Sequence, residues 1–232
     1  MPVTSTSPAE RCVLNVATGR YVPLQKRLVE SLAGEEVMVW TDAWPAESPD
    51  HRETPYAFKL FAIREALERG RTSVLWVDAP CYAVASLDPV FEKIRREHHY
   101  FVSAGDKLGN WASDACLDRF DFTRDQAMGM DLMNGAFIGL DLARARSRRW
   151  YDAMMKSSRD GLFNGPHFSD HAPAEIRARK PGKPAGFVSH DPRAWGHRHD
   201  EAVGTCLAHR LGMKISRAGE LSDVLRSPNL LR

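Results

Sequence analysis

The segment Thr72-Ser-Val-Leu-Trp-Val77 constrains this 232-residue chain more than any other. It is rich in β-branched and aromatic residues, apolar on consecutive rather than alternate positions, and ended by Asp78. A strand apolar on both faces must be covered on both, as a central strand of a largely parallel sheet is. Upstream, Cys12-Val-Leu-Asn-Val-Ala-Thr18 reads as another buried strand, broken by Gly19-Arg20. Val22 to Leu32 carries Leu24, Leu28, Val29 and Leu32 at helical spacing, with Gly34 as a C-cap. Glu36 to Trp40 reads as a second short strand. Tyr56, Leu60, Ile63 and Leu67 then mark an amphipathic helix that closes at Gly70. Strand, helix, strand, helix, strand at these separations predicts crossover units and a mostly parallel sheet.

The second half is less regular. Asn110 to Phe122 reads as a short helix with loops, Leu132 to Leu140 as a core strand, Ala143 to Lys156 as a helix, and Asp200 to Leu211 as another. Between them, residues 157–199 hold five prolines and several glycines, histidines and aspartates, which predicts a long irregular segment tied to function. Residues 1–10 read as a disordered leader and 11–232 as one domain, since no linker interrupts them. The net charge is +2, which demands neither nucleic acid nor an anionic membrane. The longest apolar run is far short of the ~20 residues a spanning helix needs, and the first residues lack the pattern of a secretory signal. Cys12, Cys81, Cys116 and Cys206 show no paired spacing, so the expectation is a reduced, cytoplasmic protein.

Ligands of open α/β sheets sit outside the carboxyl ends of the parallel strands. Two polar groups fall there: Thr18-Gly19-Arg20-Tyr21 after the first strand and Asp78 after the third. A carboxylate in that place suits a cation or ribose hydroxyls, and equally suits a turn or helix cap. His197-Arg198-His199-Asp200-Glu201 is the densest polar cluster; Asp200 there fits a helix N-cap, and a histidine fits a metal, a base or an anion contact. Residues 144–183 hold ten basic against four acidic side chains, which fits a phosphorylated or nucleic-acid partner, or simply a solvated face. The chain contains no HExxH, Walker loop, GxSxG or GxGxxG, which argues against zinc proteases, P-loop enzymes, serine hydrolases and standard dinucleotide dehydrogenases.

Several pieces nevertheless stand in a familiar order. Tyr56-Ala-Phe-Lys59, then Val74-Leu-Trp-Val-Asp78, then Ala85-Ser-Leu-Asp-Pro-Val-Phe91 resemble the nucleotide-diphospho-sugar transferases of the GT-A fold, most of all the glycogenin-like and related small bacterial or viral branches. Leu14-Asn-Val-Ala-Thr18 with Tyr21, Met133-Asn134-Gly135-Ala-Phe-Ile-Gly-Leu140 and His199-Asp200-Glu201 are similar to further motifs of that family. The resemblance implies a Rossmann-like three-layer α/β/α fold with a mixed, mainly parallel sheet, and a glycosyltransferase that takes its sugar from a nucleotide-sugar donor, read as UDP-linked, and passes it to an unidentified acceptor. It implies donor binding by Thr18, Gly19, Arg20, Tyr21, Lys59, Asp78, Asn134 and Gly135, with Lys59, Asp78 and Asp200 carrying the chemistry. By its pattern alone, Lys59 would be the solvated flank of its helix. A divalent ion, Mn²⁺ or Mg²⁺, is implied on Asp78, with His199 as a second ligand. The family's second carboxylate, however, is replaced by Pro80, and its late His-x-x-Gly-x-Lys signature is not expected in this chain. A binding module that has lost catalysis, and a nucleic-acid modifier docking through residues 144–183, remain alternatives.

Overall fold

The computed structural model describes residues 10–217 and 219–226, so the expected leader, apart from Glu10, lies outside the described residues. The chain begins β1 (Arg11–Ala17), a 3-10 turn (Gly19–Tyr21), α1 (Val22–Ser31), β2 (Val37–Thr41), α2 (Phe58–Glu68) and β3 (Ser73–Val77). It continues through β4 (Tyr82–Ala83), α3 (Asp88–Glu97), β5 (His99–Lys107), α4 (Leu108–Trp111), α5 (Asp114–Arg119), α6 (Arg124–Met128) and β6 (Asp131–Asp141). The last part holds α7 (Ala145–Arg159), β7 (Phe168–Ser169), α8 (Ala174–Arg177), β8 (Ala185–Gly186), α9 (His199–Arg210), β9 (Ile215–Ser216) and β10 (Leu225–Arg226).

Six of these strands form one sheet in the order β2-β1-β3-β6-β5-β9. β1 pairs in parallel with both β2 and β3, β5 pairs in parallel with β9, and β6 runs antiparallel to its neighbours β3 and β5. Five strands therefore point one way and β6 alone is reversed, which is the mixed, mainly parallel sheet expected. All five residues of β3 are buried, as a run apolar on successive positions requires.

The two faces of the sheet carry separate apolar layers. On one, Leu28 and Leu32 from α1 and its end, with Val90, Phe91 and Ile94 of α3, cover Val13, Leu75 and Val77. On the other, Leu60 and Ile63 of α2, Trp150 and Met154 of α7 and Val203 of α9 cover Leu14, Trp76 and Ile138. The chain leaves β1 toward β2, whereas from β3 it goes on to strands on the other side of the sheet. The crevice between the ends of β1 and β3 is thus the switch point where such sheets bind ligands.

Three expectations shift. The helix predicted from Tyr56 starts at Phe58, because Tyr56 adopts φ 64°, outside the helical region. The short helix predicted over 110–122 is split into α4 and α5, with an extended Ala112 between them. β5, for which the sequence carried no expectation, is present: its first five residues are buried and its later ones alternate toward solvent.

Candidate active site at the carboxyl edge of the sheet

β3 ends in Asp78, whose backbone N–H donates to Ala136 O at 3.0 Å and so ties it to the reversed strand β6. The turn that follows is fixed from both sides. Cys81 N–H donates to Asp78 O at 3.0 Å, and Arg27 Nη2 donates to Pro80 O at 2.7 Å while its guanidinium lies over the Tyr82 ring. Trp76 Nε1 donates to Asp78 Oδ1 at 2.7 Å, aiming the carboxylate along the crevice.

Below the crevice lies a buried polar network that sequence reasoning missed. Asn15 Nδ2 donates to Val77 O at 2.6 Å, and Gln25 Nε2 donates to Asn15 Oδ1 at 2.8 Å and to Trp40 O at 3.1 Å. Thr41 Oγ1 completes it, donating to Gln25 Oε1 at 2.6 Å. Amides inside an apolar layer are costly unless satisfied; here they lock the ends of β1, β2 and β3 to one another. The one polar residue within the apolar run of β1 was the available signal.

Lys59, from the first turn of α2, is 3 % exposed. Its Nζ donates to Asp200 Oδ2 at 2.7 Å and to Gly135 O at 2.8 Å, and lies 3.9 Å from Asp78 Oδ1. Burial opposes its charge, yet the Asp200 and Asp78 carboxylates hold it above its ordinary value, so it stays an ammonium. The solvated flank that its pattern allowed is therefore replaced by a buried ion pair. Asp200 does not cap α9. It sits in the helix's first turn and turns to Lys59, with burial pushing its carboxyl up to about 6 against the pull of that ammonium. Glu201 accepts from Gly135 N–H at 3.1 Å and pairs with Arg198 at 2.8 Å, and the Arg198 guanidinium lies over Trp111. Tyr56 places its ring 5.0 Å from Lys59 Nζ and 5.5 Å from the His199 ring.

Lys59, Asp78, Gly135 and Asp200 are thus brought together, with Asn134 next to Gly135 and half-buried. Thr18, Gly19, Arg20 and Tyr21 lie at the other lip, at the end of β1. Gly19 N–H donates to Asp42 Oδ1 at 2.7 Å, Gly19 and Arg20 are exposed, and Tyr21 is 40 % exposed. Arg198, whose basic cluster the sequence offered as a substitute for a metal's charge, joins the cluster, as do Glu201 and Tyr56, which had been given no role.

Three histidines back the cluster. His197 Nδ1 accepts from Ser113 N–H at 3.3 Å, so its Nε2 donates to Leu162 O at 2.9 Å. His199 Nδ1 is 2.8 Å from Phe163 O, a carbonyl, and so carries the proton. His167 is 2 % exposed, and both its ring nitrogens lack a hydrogen-bond partner. Burial holds all three well below the usual range, at about 4, 3 and 2 in that order, and the nearby cations add to it for His199 and His167. They are neutral.

The residues do not suit a resident divalent ion. Pro80 stands where a second carboxylate would be, Asp78 Oδ1 is taken by Trp76, and Asp200 is taken by Lys59. Among the described residues no group of three His, Cys, Asp or Glu side chains is disposed to hold a metal, so Asp78 and His199 belong to no such set. The His-x-x-Gly-x-Lys expectation needs a correction: His209, Gly212 and Lys214 do have that spacing. Their place in the fold separates them from the crevice. α9 carries the chain about 15 Å from Asp200 to Arg210, and Lys214 arrives beside His99 at the start of β5, where its carbonyl meets His99 Nε2 at 3.1 Å. The basic residues of 144–183 also divide. Arg144, Arg148 and Lys156 pair with Asp141, Asp152 and Asp160, whereas Lys180 and Lys183 act electrostatically on the crevice groups. No described helix is long and apolar enough to cross a membrane.

No family model matches the sequence, and no curated protein matches it. Among solved structures the chain is similar to a glycosyltransferase involved in the glycosylation of the major capsid of PBCV-1, with 16 % identity and a TM-score of 0.39 over 78 % of this chain and 82 % of that one. What the crevice can do therefore follows from its own residues.

Proposed function

We propose that this chain is a glycosyltransferase that moves a sugar from a nucleotide-diphospho-sugar, UDP-linked in our reading, to an acceptor hydroxyl. One observation carries the reading: Asp78, Lys59, Gly135 and Asp200, from four separate elements, meet at the switch point of a parallel sheet through a buried ion pair. A buried pair contributes little to stability in itself, and its place at the ligand-binding edge gives it a use. The nucleoside occupies the lip formed by Thr18 to Tyr21, with the Tyr21 ring against the base and Asp78 on the ribose hydroxyls. The transferred sugar faces Asn134, Gly135 and Asp200.

In the transfer, the acceptor oxygen bonds to the anomeric carbon. The bond from that carbon to the β-phosphate oxygen breaks, and its electron pair leaves with the nucleoside diphosphate. The acceptor proton passes to Asp200, which is ionised at neutral pH and has Lys59 to hold it in position. The test is a thermal-shift screen of nucleotides and nucleotide sugars, followed by turnover assays. A ligand at 100 times its dissociation constant should add about 2.7 kcal/mol, several degrees for a chain of this size. The reading requires a shift with at least one nucleotide sugar that Asp78→Ala abolishes. A chain that no nucleotide stabilises would overturn it.

A further inference from the structure

Beside the Lys59–Asp200 pair stands a row of neutral rings whose polar atoms are unmatched. The Tyr56 ring lies 5.5 Å from that of His199, His199 lies 5.8 Å from His167, and His167 lies 6.3 Å from Trp111. The row meets the ion pair at both of its first members. Tyr56 is 5.0 Å from Lys59 Nζ, and His199 precedes Asp200 in the chain. His167 and Trp111 are 2 % and 3 % exposed, yet both nitrogens of His167 and Nε1 of Trp111 lack a hydrogen-bond partner. His199 gives its Nδ1 proton to Phe163 O, which leaves Nε2 an acceptor with no donor among the described residues. The Tyr56 hydroxyl makes no hydrogen bond among them either. Buried polar atoms left unmatched are costly, and native proteins keep few of them. The backbone is unusual at the same place. Tyr56 has φ 64° and His199 φ 47°, values that bulky side chains rarely adopt outside ligand sites.

The chemistry of the row selects its ligand. Trp111 Nε1–H and the Tyr56 hydroxyl can donate, His199 Nε2 can accept, and His167 offers one atom of each kind. The cations lying over these rings are already paired: Lys59, over Tyr56, with Asp200 at 2.7 Å, and Arg198, over Trp111, with Glu201 at 2.8 Å. The rings therefore ask for hydroxyls and an apolar face rather than for a phosphate. A pyranose supplies both, since its C–H groups lie on aromatic faces and its hydroxyls each donate and accept. From Tyr56 the row continues through His51, 4.7 Å away, to Trp44, and these three residues are half-buried. A second sugar unit has the same kind of surface to lie on.

We propose that this row is the acceptor subsite and that the acceptor is a neutral carbohydrate. Its ring lies on Tyr56 and His199, its hydroxyls meet the unmatched atoms, and the hydroxyl to be glycosylated faces Asp200. The proposal rests on the glycosyltransferase reading and adds to it the class of acceptor.

The test is saturation-transfer NMR with UDP, GDP, CDP, ADP and dTDP present in turn. The probes are the methyl glycosides of glucose, galactose, mannose and N-acetylglucosamine, together with maltose, cellobiose and lactose. A serine- and threonine-rich peptide and a single-stranded oligonucleotide are the rivals. At least one sugar is expected to bind, and to raise nucleotide release from the matching nucleotide sugar fivefold or more. Tyr56→Ala and His199→Asn should weaken that sugar fivefold or more and the nucleotide less than twofold; asparagine tolerates the left-handed backbone and lacks the ring. Tyr56→Phe keeps the face without the hydroxyl and should fall between. Nucleotide binding with no sugar binding, or glycosylation of the peptide or oligonucleotide in place of every sugar, would overturn the proposal and leave the transferase reading standing. A folded Tyr56→Ala protein with unchanged sugar affinity would do the same. A chain that binds neither nucleotide nor sugar would overturn both.

Discussion

A Cβ on Gly135 would stand 2.9 Å from Glu201 Cγ, 3.0 Å from Asp200 Oδ2 and 3.1 Å from Lys59 Nζ, so only glycine lets β6 pass this close to the ion pair. Gly135→Ala is expected to weaken donor binding at least tenfold while costing about 1–3 kcal/mol of stability. Gly139, in the same strand, serves as the control. A Cβ there would meet Ile94 at 2.8 Å, in the apolar layer, so Gly139→Ala should lose similar stability and keep its affinity for the donor. Equal affinity losses in the two variants would mean that Gly135 acts only through the fold. Lys59→Met leaves Asp200 buried without its cation, and is expected to cost about 3–5 kcal/mol, measured by denaturant unfolding. Adding Asp200→Asn to it should recover much of that. Asp200→Asn alone is expected to lower turnover by about 10²–10⁴-fold if it accepts the proton, with donor affinity held within a fewfold.

Of the three neutral histidines, His167 and His197 belong to the stretch that leads into α9 and His199 begins that helix, and together they give it an acid limit. In the unfolded chain each takes up a proton near 6.5, whereas the folded protein resists until about 4 or lower. Their stability contribution is complete above pH 6.5 and is lost as pH falls below it, by about 1.4 kcal/mol per pH unit for each at most. Asp200 works the other way. Its folded value is raised to about 6, so it binds a proton more readily when folded and favours the folded state between about 4 and 6. Three groups oppose one, and the melting temperature is expected to fall steadily from pH 7 to pH 5; a flat profile would contradict this. Under α1, Gln25→Leu strands the Asn15 amide, which should cost about 1–3 kcal/mol and weaken nucleotide binding by loosening the ends of β1 and β3. Elements of this kind were legible where one residue pattern decides the outcome. β3 and Asp78 follow from six consecutive residues, and the start of α9 follows from its acidic turn. Pattern alone would leave Lys59 solvated, because periodicity assigns one buried face, whereas the first half of α2 is buried nearly all round, from Lys59 to Ile63. β5 was missed because its later residues are polar and its pairing with β6 shifts register twice. Glu201 and Tyr56 acquire their meaning from Gly135 and His199, far away in the chain, which no local pattern carries.

At the scale of the whole molecule, every proposed group sits on one edge of the sheet, because β6 is reversed and offers its beginning where the other strands offer their ends. Lys59 and Asp200, bonded at 2.7 Å, are 141 positions apart in the chain, and β6 lies between β3 and β5 in the sheet although it is made after both. That arrangement sets the order of events as the chain emerges from the ribosome. β1, β2 and β3 can pair as soon as they appear, but the place between β3 and β5 stays open until more than 130 residues exist. The Lys59 ammonium has no Asp200 until α9 follows. Sheet closure across such separations is slow, and a buried lysine without its carboxylate holds the early half away from a settled state. The crevice is thus complete only once α9 has been synthesised, and the proposed donor site does not exist in a nascent chain before then.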